Sequence, residues 1–202
     1  MTIFELTDTI GIIAFSLSGF IKATDGHLDI LGICISSFLT ALGGGISRDI
    51  IVNTTPFSLS HLSPVIYVLG TIIFAIIFKV HKKTNIESKA IFIISDAIGL
   101  VSFSITGALI GLEHHLSFFG ILILAFLTAV GGGGIRDILM NKVPFFLIED
   151  FYASISLIIG TILYILNVFS WNNFLSIPLI FIFMLFLRLF AYYKKWHLPK
   201  LK

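Results

Sequence analysis

Two long stretches of this chain carry one pattern, and the duplication restricts the fold more than any other feature. Residues 8–57 align without a gap with residues 96–145, an offset of 88. Asp8, Gly11, Phe15, Ser16 and Gly19 fall on Asp96, Gly99, Phe103, Ser104 and Gly107. Thr40, Gly43, Gly44, Gly45, Arg48 and Asp49 fall on Thr128, Gly131, Gly132, Gly133, Arg136 and Asp137, with Asn53 and Pro56 on Asn141 and Pro144. The second copy has a fourth glycine, Gly134, where the first has Ile46. A glycine-interrupted, charged segment written twice in an apolar chain is the pattern of an ion or solute site at a repeat interface.

The surroundings of the repeat decide the solvent. Of the 202 residues, 57% are hydrophobic and 12% charged, about half the charged share of a soluble domain. Apolar stretches of about 20 residues, enough to cross a bilayer core, recur along the chain. The alternation of a transmembrane barrel is absent, so the stretches are expected to be helices. Seven spans are predicted, at roughly 4–23, 28–48, 63–80, 91–112, 116–138, 150–169 and 172–193. The fold class is thus an all-α membrane protein with one transmembrane domain, residues 1–202. Repeat one covers about 4–80, repeat two about 91–169, the seventh helix about 172–193, and a basic tail 194–202. The first span carries Glu5 and Asp8 with no preceding lysine or arginine, so a cleaved leader is not expected. A single cysteine, Cys34, excludes an intrachain disulfide.

Basic residues set the orientation. Outside the two Arg-Asp pairs, the remaining lysines and arginines are Lys22, Lys79, Lys82, Lys83, Lys89, Lys142, Arg188, Lys194, Lys195, Lys200 and Lys202. With seven alternating spans, all of them lie on one side. The positive-inside bias makes that side cytoplasmic, with the N-terminus outside. Three helices per repeat is an odd number, so the second copy enters the membrane inverted relative to the first.

Each glycine run is expected to kink or break its helix, since it removes every side chain covering the backbone. Exposed backbone at membrane depth is tolerated where it lines a wet cavity. The alternative is close helix packing through small residues, the role expected of Gly107 and Gly111. Arg48-Asp49 and Arg136-Asp137 follow the runs and need a partner or water. Adjacent helical residues point about 100° apart, so a crossed arrangement is expected: Arg48 with Asp137, and Arg136 with Asp49. Asp8 and Asp96 suit either a helix cap or a pore entrance. Ser16, Ser18, Ser104 and Thr106, about two turns further, suit a wet path or bonds across helices.

No nucleotide-binding loop, zinc signature or nucleophile elbow is present, so neither an enzyme nor an ATP-driven pump is expected. His114 and His115 lack further ligands at usable spacing, and no metal site or cofactor is expected. Nothing points to nucleic acid. The terminal lysines suit anionic membrane lipid.

The doubled Gly-Gly-Gly-x-x-Arg-Asp element, preceded by Asp-x-x-Gly-x-x-x-Phe and carried by seven spans, resembles the prokaryotic members of the TRIC family, the trimeric intracellular cation channels. Bacterial relatives of that family were also described as glycine transporters of the inner membrane. The resemblance implies a homotrimer in which each subunit has its own pore for monovalent cations such as potassium and sodium. It implies helices two and five kinked beside the pore at Gly43, Gly44 and Gly45 and at Gly131, Gly132 and Gly133. The basic lipid-binding motif of the animal channels has no counterpart here. A facilitator or secondary transporter of a small zwitterion such as glycine is the alternative, because inverted repeats suit that task equally.

Overall fold

A computed structural model describes residues 2–82, 85–149, 151–170 and 173–196, and every regular element among them is helical. Lys83, Lys200 and Lys202 of the basic side lie outside the described residues. In chain order the helices are α1 (Ile3–Asp25), α2 (Ile30–Ile51), α3 (Phe57–Ser60), α4 (Ser63–Ile77), α5 (Asn85–Glu113), α6 (Phe118–Leu139), α7 (Phe145–Ile148), α8 (Ala153–Val168) and α9 (Asn173–Tyr193).

Local chemistry explains where they start and stop. Thr2 caps α1: its Oγ1 accepts from the Glu5 amide at 3.1 Å, and Glu5 Oε2 accepts from the Thr2 amide at 2.9 Å. This reciprocal pair satisfies two amides that the first turn leaves over, so capping is not the task of Asp8. Asp29 and Ser117, equivalent across the repeat, cap α2 and α6 through the amides of Gly32 (2.7 Å) and Gly120 (3.2 Å). At the far ends, Asn53 and Asn141 take left-handed conformations, φ 57° and 53°. There Thr54 N–H donates to the Asp49 carbonyl and Lys142 N–H to the Asp137 carbonyl, at 2.9 and 2.8 Å. Asparagine tolerates that conformation better than most residues, which accounts for its presence in both copies.

Among the described residues, five helical segments are long and apolar enough to cross a membrane: α1, α2, Glu87–Glu113 of α5, α6, and Ser176–Tyr193 of α9. The other two predicted spans are the shorter apolar helices α4 and α8, of 15 and 16 residues. At about 1.5 Å per residue they reach about 22–24 Å, short of a bilayer core of about 30 Å. The chain is an all-helical, multi-pass membrane protein.

Packing repeats with the sequence. Helix α1 packs on α2 and α4 as α5 packs on α6 and α8, while α1 meets α5 and α2 meets α6 between the halves; α9 lies against α5 and α8. At the centre the Phe15 and Phe103 rings meet edge to face. Gly19 presses on the Ser36 carbonyl and Thr40 hydroxyl, and Gly107 on the Leu124 carbonyl and Thr128 hydroxyl, each 2.7 Å from where a Cβ would stand. Gly111 abuts Ile121, so Gly107 and Gly111 do form the expected small-residue contact between α5 and α6.

The helices are not broken at the glycine runs, breakage being the stronger of the two forms the expectation took. Both α2 and α6 continue as unbroken α-helix through Gly43–Gly45 and Gly131–Gly134, so the backbone is not opened there. A Cβ on Gly44 would overlap the Thr128 carbonyl oxygen, and one on Gly132 the Thr40 carbonyl oxygen. The bare surfaces allow α2 and α6 to approach backbone to backbone, the packing alternative the sequence left open.

Candidate functional site

The charged pairs stand at the C-terminal ends of α2 and α6, where burial is nearly complete: Arg48 is 3% and Arg136 1% exposed. Each arginine bonds its own neighbour. Arg48 Nε donates to Asp49 Oδ1 at 2.8 Å, and Arg136 Nε to Asp137 Oδ1 at 2.9 Å. The expected crossed pairing, Arg48 with Asp137 and Arg136 with Asp49, is therefore wrong. The 100° separation of adjacent positions is bridged because the long arginine side chain folds back to present Nε to the carboxylate.

The second carboxylate oxygen of each aspartate has a backbone task. Asp49 Oδ2 accepts the Phe57 amide at 3.0 Å, and Asp137 Oδ2 the Phe145 amide at 2.8 Å. These amides open α3 and α7 just after Pro56 and Pro144, and a carboxylate there satisfies an amide with no partner inside its own helix. The motif aspartates thus hold the chain reversal after α2 and α6.

What the arginines share across the halves is hydroxyl, not acid. Arg48 Nη1 reaches Thr106 Oγ1 at 3.4 Å, and Arg136 Nη1 reaches Ser18 Oγ at 3.2 Å. Ser16 and Ser104 take no part: both are buried, bonding the carbonyls of Val68 (3.4 Å) and Leu100 (2.6 Å). Two residues along a helix is about 200° of rotation, which turns them away from the charges.

The two ends then diverge. Asp8, half-buried, accepts directly from Arg48 Nη1 at 3.1 Å. Asp96 is fully buried and linked to Arg136 through Ser18, whose hydroxyl donates to Asp96 Oδ1 at 3.2 Å. Tyr152 and Arg188 interact with the same carboxylate, and the Arg188 guanidinium lies 4.8 Å from the Tyr152 ring centroid. Arg188 is 2% exposed within α9, so it is a core residue. The signal was available, because an ionisable residue inside a span marks a site by default. Phe4 and Phe92, equivalent across the repeat, lie under the guanidinium groups of Arg48 (5.4 Å) and Arg136 (5.8 Å); no polar pattern announced them.

Two vestibules occupy equivalent places in the halves, Phe4 and Phe57 lining the one where Phe92 and Phe145 line the other, and the first reaches the charged pair itself. One of about 530 Å³ is lined by Glu5, Asp8, Arg48, Asp49, Tyr67 and Ile110 among others. Below it a pocket of about 20 Å³, room for about one water, reaches Gly45 and Phe103. The other vestibule, of about 370 Å³, is lined by Lys22, Asp25, Lys89, Phe92, Phe145 and Glu149 among others. Of the glycines, Gly45 and Gly133 face their own arginines, with Nη2 at 3.9 and 3.6 Å from a built Cβ, while Gly43, Gly44, Gly131 and Gly132 lie in the contact of α2 with α6 and Gly134 abuts Phe146.

Apolar helices packed around buried ion pairs, with a vestibule reaching the Arg48–Asp49 pair, define a membrane protein of the channel or transporter class. Residues 5–81 and 93–167 match the family described as Glycine transporter, one segment per half. The UPF0126 membrane protein YvgT of Bacillus subtilis is 33% identical, over 96% of this chain and 95% of its own. A crystal structure described as a prokaryotic TRIC channel in 0.5 M KCl is 34% identical, with a TM-score of 0.88 over 97% of this chain and 98% of that one. The TRIC orthologue of Rhodobacter sphaeroides is 25% identical, with a TM-score of 0.87 over 96% and 100%. This chain belongs to the TRIC family in its prokaryotic form, whose matching description is Glycine transporter.

Proposed function

We propose that the chain is a passive channel for monovalent cations, potassium and sodium, with one pathway per subunit of a homotrimer. The observation that carries this is the acidic vestibule, where three carboxylates, Glu5, Asp8 and Asp49, face one guanidinium, Arg48, at the end of the glycine-packed helices. An excess of carboxylate at a mouth concentrates cations, and binding through few, partly satisfied groups lets them leave again. The likeness to structures described as TRIC channels supports the same assignment.

The pathway runs beside α2 and α6, between halves inverted in the membrane, with α4 and α8 completing the triplets where the bilayer thins to meet them. The N-terminus is outside and the C-terminus inside a bacterial inner membrane. Conduction requires the narrow pocket at Gly45 and Phe103 to widen, and bending of α2 and α6 at Gly43–Gly45 and Gly131–Gly134 is the motion best suited to it, since the runs carry no side chains to resist it. Asp8 stands at the entrance and Asp96 at its buried counterpart, joined through Ser18 and Thr106 to the opposite half.

Facilitated movement of glycine is a second reading, favoured by the family description itself. Purified protein in planar bilayers is expected to give unitary potassium currents. Silent bilayers together with saturable glycine uptake into proteoliposomes would replace the channel with the transporter.

A further inference from the structure

The repeat makes the two mouths comparable position by position, and they differ in charge at two equivalent pairs, Glu5 against Ile93 and Ile110 against Lys22, of which Lys22 brings the positive charge. Its equivalent in the other half is Ile110. The Lys22 ammonium lies 4.3 Å from the centroid of the Phe92 ring and 5.4 Å from that of Phe145, at the edge of the vestibule of about 370 Å³. The ring faces and the C-terminal end of α1 both favour positive charge at this spot. Phe92 therefore carries two cations, Lys22 and, at 5.8 Å, Arg136. Its equivalent Phe4 carries Arg48 at 5.4 Å, and the neutral Ile110 side chain lines that mouth.

The linings differ in the same sense. The Ile110 mouth sets three carboxylates, Glu5, Asp8 and Asp49, against Arg48. The Lys22 mouth sets Asp25 and Glu149 against Lys22 and Lys89. One mouth is formally acidic and the other is balanced. Charge at a mouth sets the local concentration of permeant ions on that side, and so the current drawn from it.

We propose that Lys22 makes the pathway rectify: it is the specificity-determining residue that disfavours cations approaching from its own mouth, so current flows more readily from the Asp8 side. The inference rests on the channel assignment above. An ammonium beside Arg136 repels cations where the acidic mouth gathers them, and a permeation route with unlike ends conducts unequally in its two directions.

The test uses patches in which every channel has the same orientation, excised from giant spheroplasts expressing the full chain, in symmetrical KCl. Wild-type current drawn from the Asp8 side is expected to exceed the reverse current by about twofold or more. Lys22→Ile, which gives that mouth the residue of its equivalent position, is expected to raise the reverse current and weaken the rectification. Ile110→Lys is expected to depress current from the Asp8 side, and the double exchange, which leaves each mouth with one carboxylate in excess, to bring the two directions level. Lys22→Gln, which keeps length and polarity, is expected to act as Lys22→Ile does, and it stands in should the isoleucine variant fail to assemble. Conducting wild-type patches with rectification unmoved by any of these exchanges would overturn the role of Lys22 while leaving conduction standing. Patches without potassium current would remove the channel assignment itself and this inference with it.

Discussion

Phe15 and Phe103 meet edge to face, with ring centroids 5.2 Å apart and planes at 79°, and each also covers a glycine of the opposite half. Phe103 lies over Gly11, and Phe15 over Gly99, so closely that a Cβ on either glycine would run into the ring. The invariance of this four-residue set between the two copies follows from its own geometry: each ring needs both the other ring and the absence of a side chain beneath it. Both phenylalanines are 1% exposed.

Truncating either ring should therefore cost alike. Phe15→Ala and Phe103→Ala are each expected to destabilise the protein by about 3–5 kcal/mol, as for large buried aromatics. Because the rings touch, the double variant should cost less than the two single losses together. Thermal unfolding in detergent checks this. Full additivity would mean that the pair does not act as one contact.

The glycine runs separate into two classes that one substitution distinguishes. Gly44→Ala and Gly132→Ala drive a methyl group into a carbonyl oxygen of the facing helix, and backbone cannot rotate out of the way as a side chain does. Overpacking of this kind costs about 1–3 kcal/mol or more. Gly45→Ala and Gly133→Ala meet only the end of an arginine side chain at ordinary contact distance. They should be neutral or slightly stabilising, because alanine favours helix over glycine by about 1 kcal/mol. Melting temperatures that fall equally for all four would contradict the packing role assigned here.

Each arginine bonds the aspartate next to it, which a double-variant cycle can verify. Asp49→Asn in an Arg48→Gln background should cost much less than Asp49→Asn alone, with an interaction energy of about 1 kcal/mol or more, as for groups in one network. Asp137→Asn combined with Arg48→Gln should be additive to about 0.5 kcal/mol. A coupling that appeared instead between Arg48 and Asp137 would restore the crossed arrangement.

Much of this architecture is legible in the chain because the duplication filters out chance. Asn53 and Asn141 recur for their left-handed turns, Gly19 and Gly107 for close approach, and Asp49 and Asp137 for the amides of Phe57 and Phe145. Spacing places such residues on helices and at helix ends. It is silent on how far a flexible side chain reaches, so the pairing of Arg48 went astray. Helical continuity through the glycines was misjudged for a related reason: propensity counts what glycine costs a lone helix, whereas a facing carbonyl of the partner helix rewards its absence of a side chain. Lys22, Tyr152 and Arg188 have no charged equivalent in the other half, and a reading guided by matched positions passes over whatever breaks the match.

That asymmetry also separates Ser18 from Thr106, which occupy equivalent positions. Ser18 Oγ lies between Arg136 Nη1 and Asp96 Oδ1, at 3.2 Å from each, and forms the link between the two charges. Thr106 Oγ1 is 3.4 Å from Arg48 Nη1, but that nitrogen already has Asp8 at 3.1 Å. Removing the serine hydroxyl leaves a fully buried guanidinium nitrogen and a fully buried carboxylate oxygen short of a partner together. A buried group left unsatisfied costs about 1–3 kcal/mol, more when charged. Ser18→Ala is thus expected to lower stability by about 2 kcal/mol or more, and Thr106→Val, which keeps the shape of the side chain, by less than about 1 kcal/mol. Thermal unfolding of the two variants under one condition decides the point: equal losses would mean that Asp96 and Arg136 reach each other without Ser18.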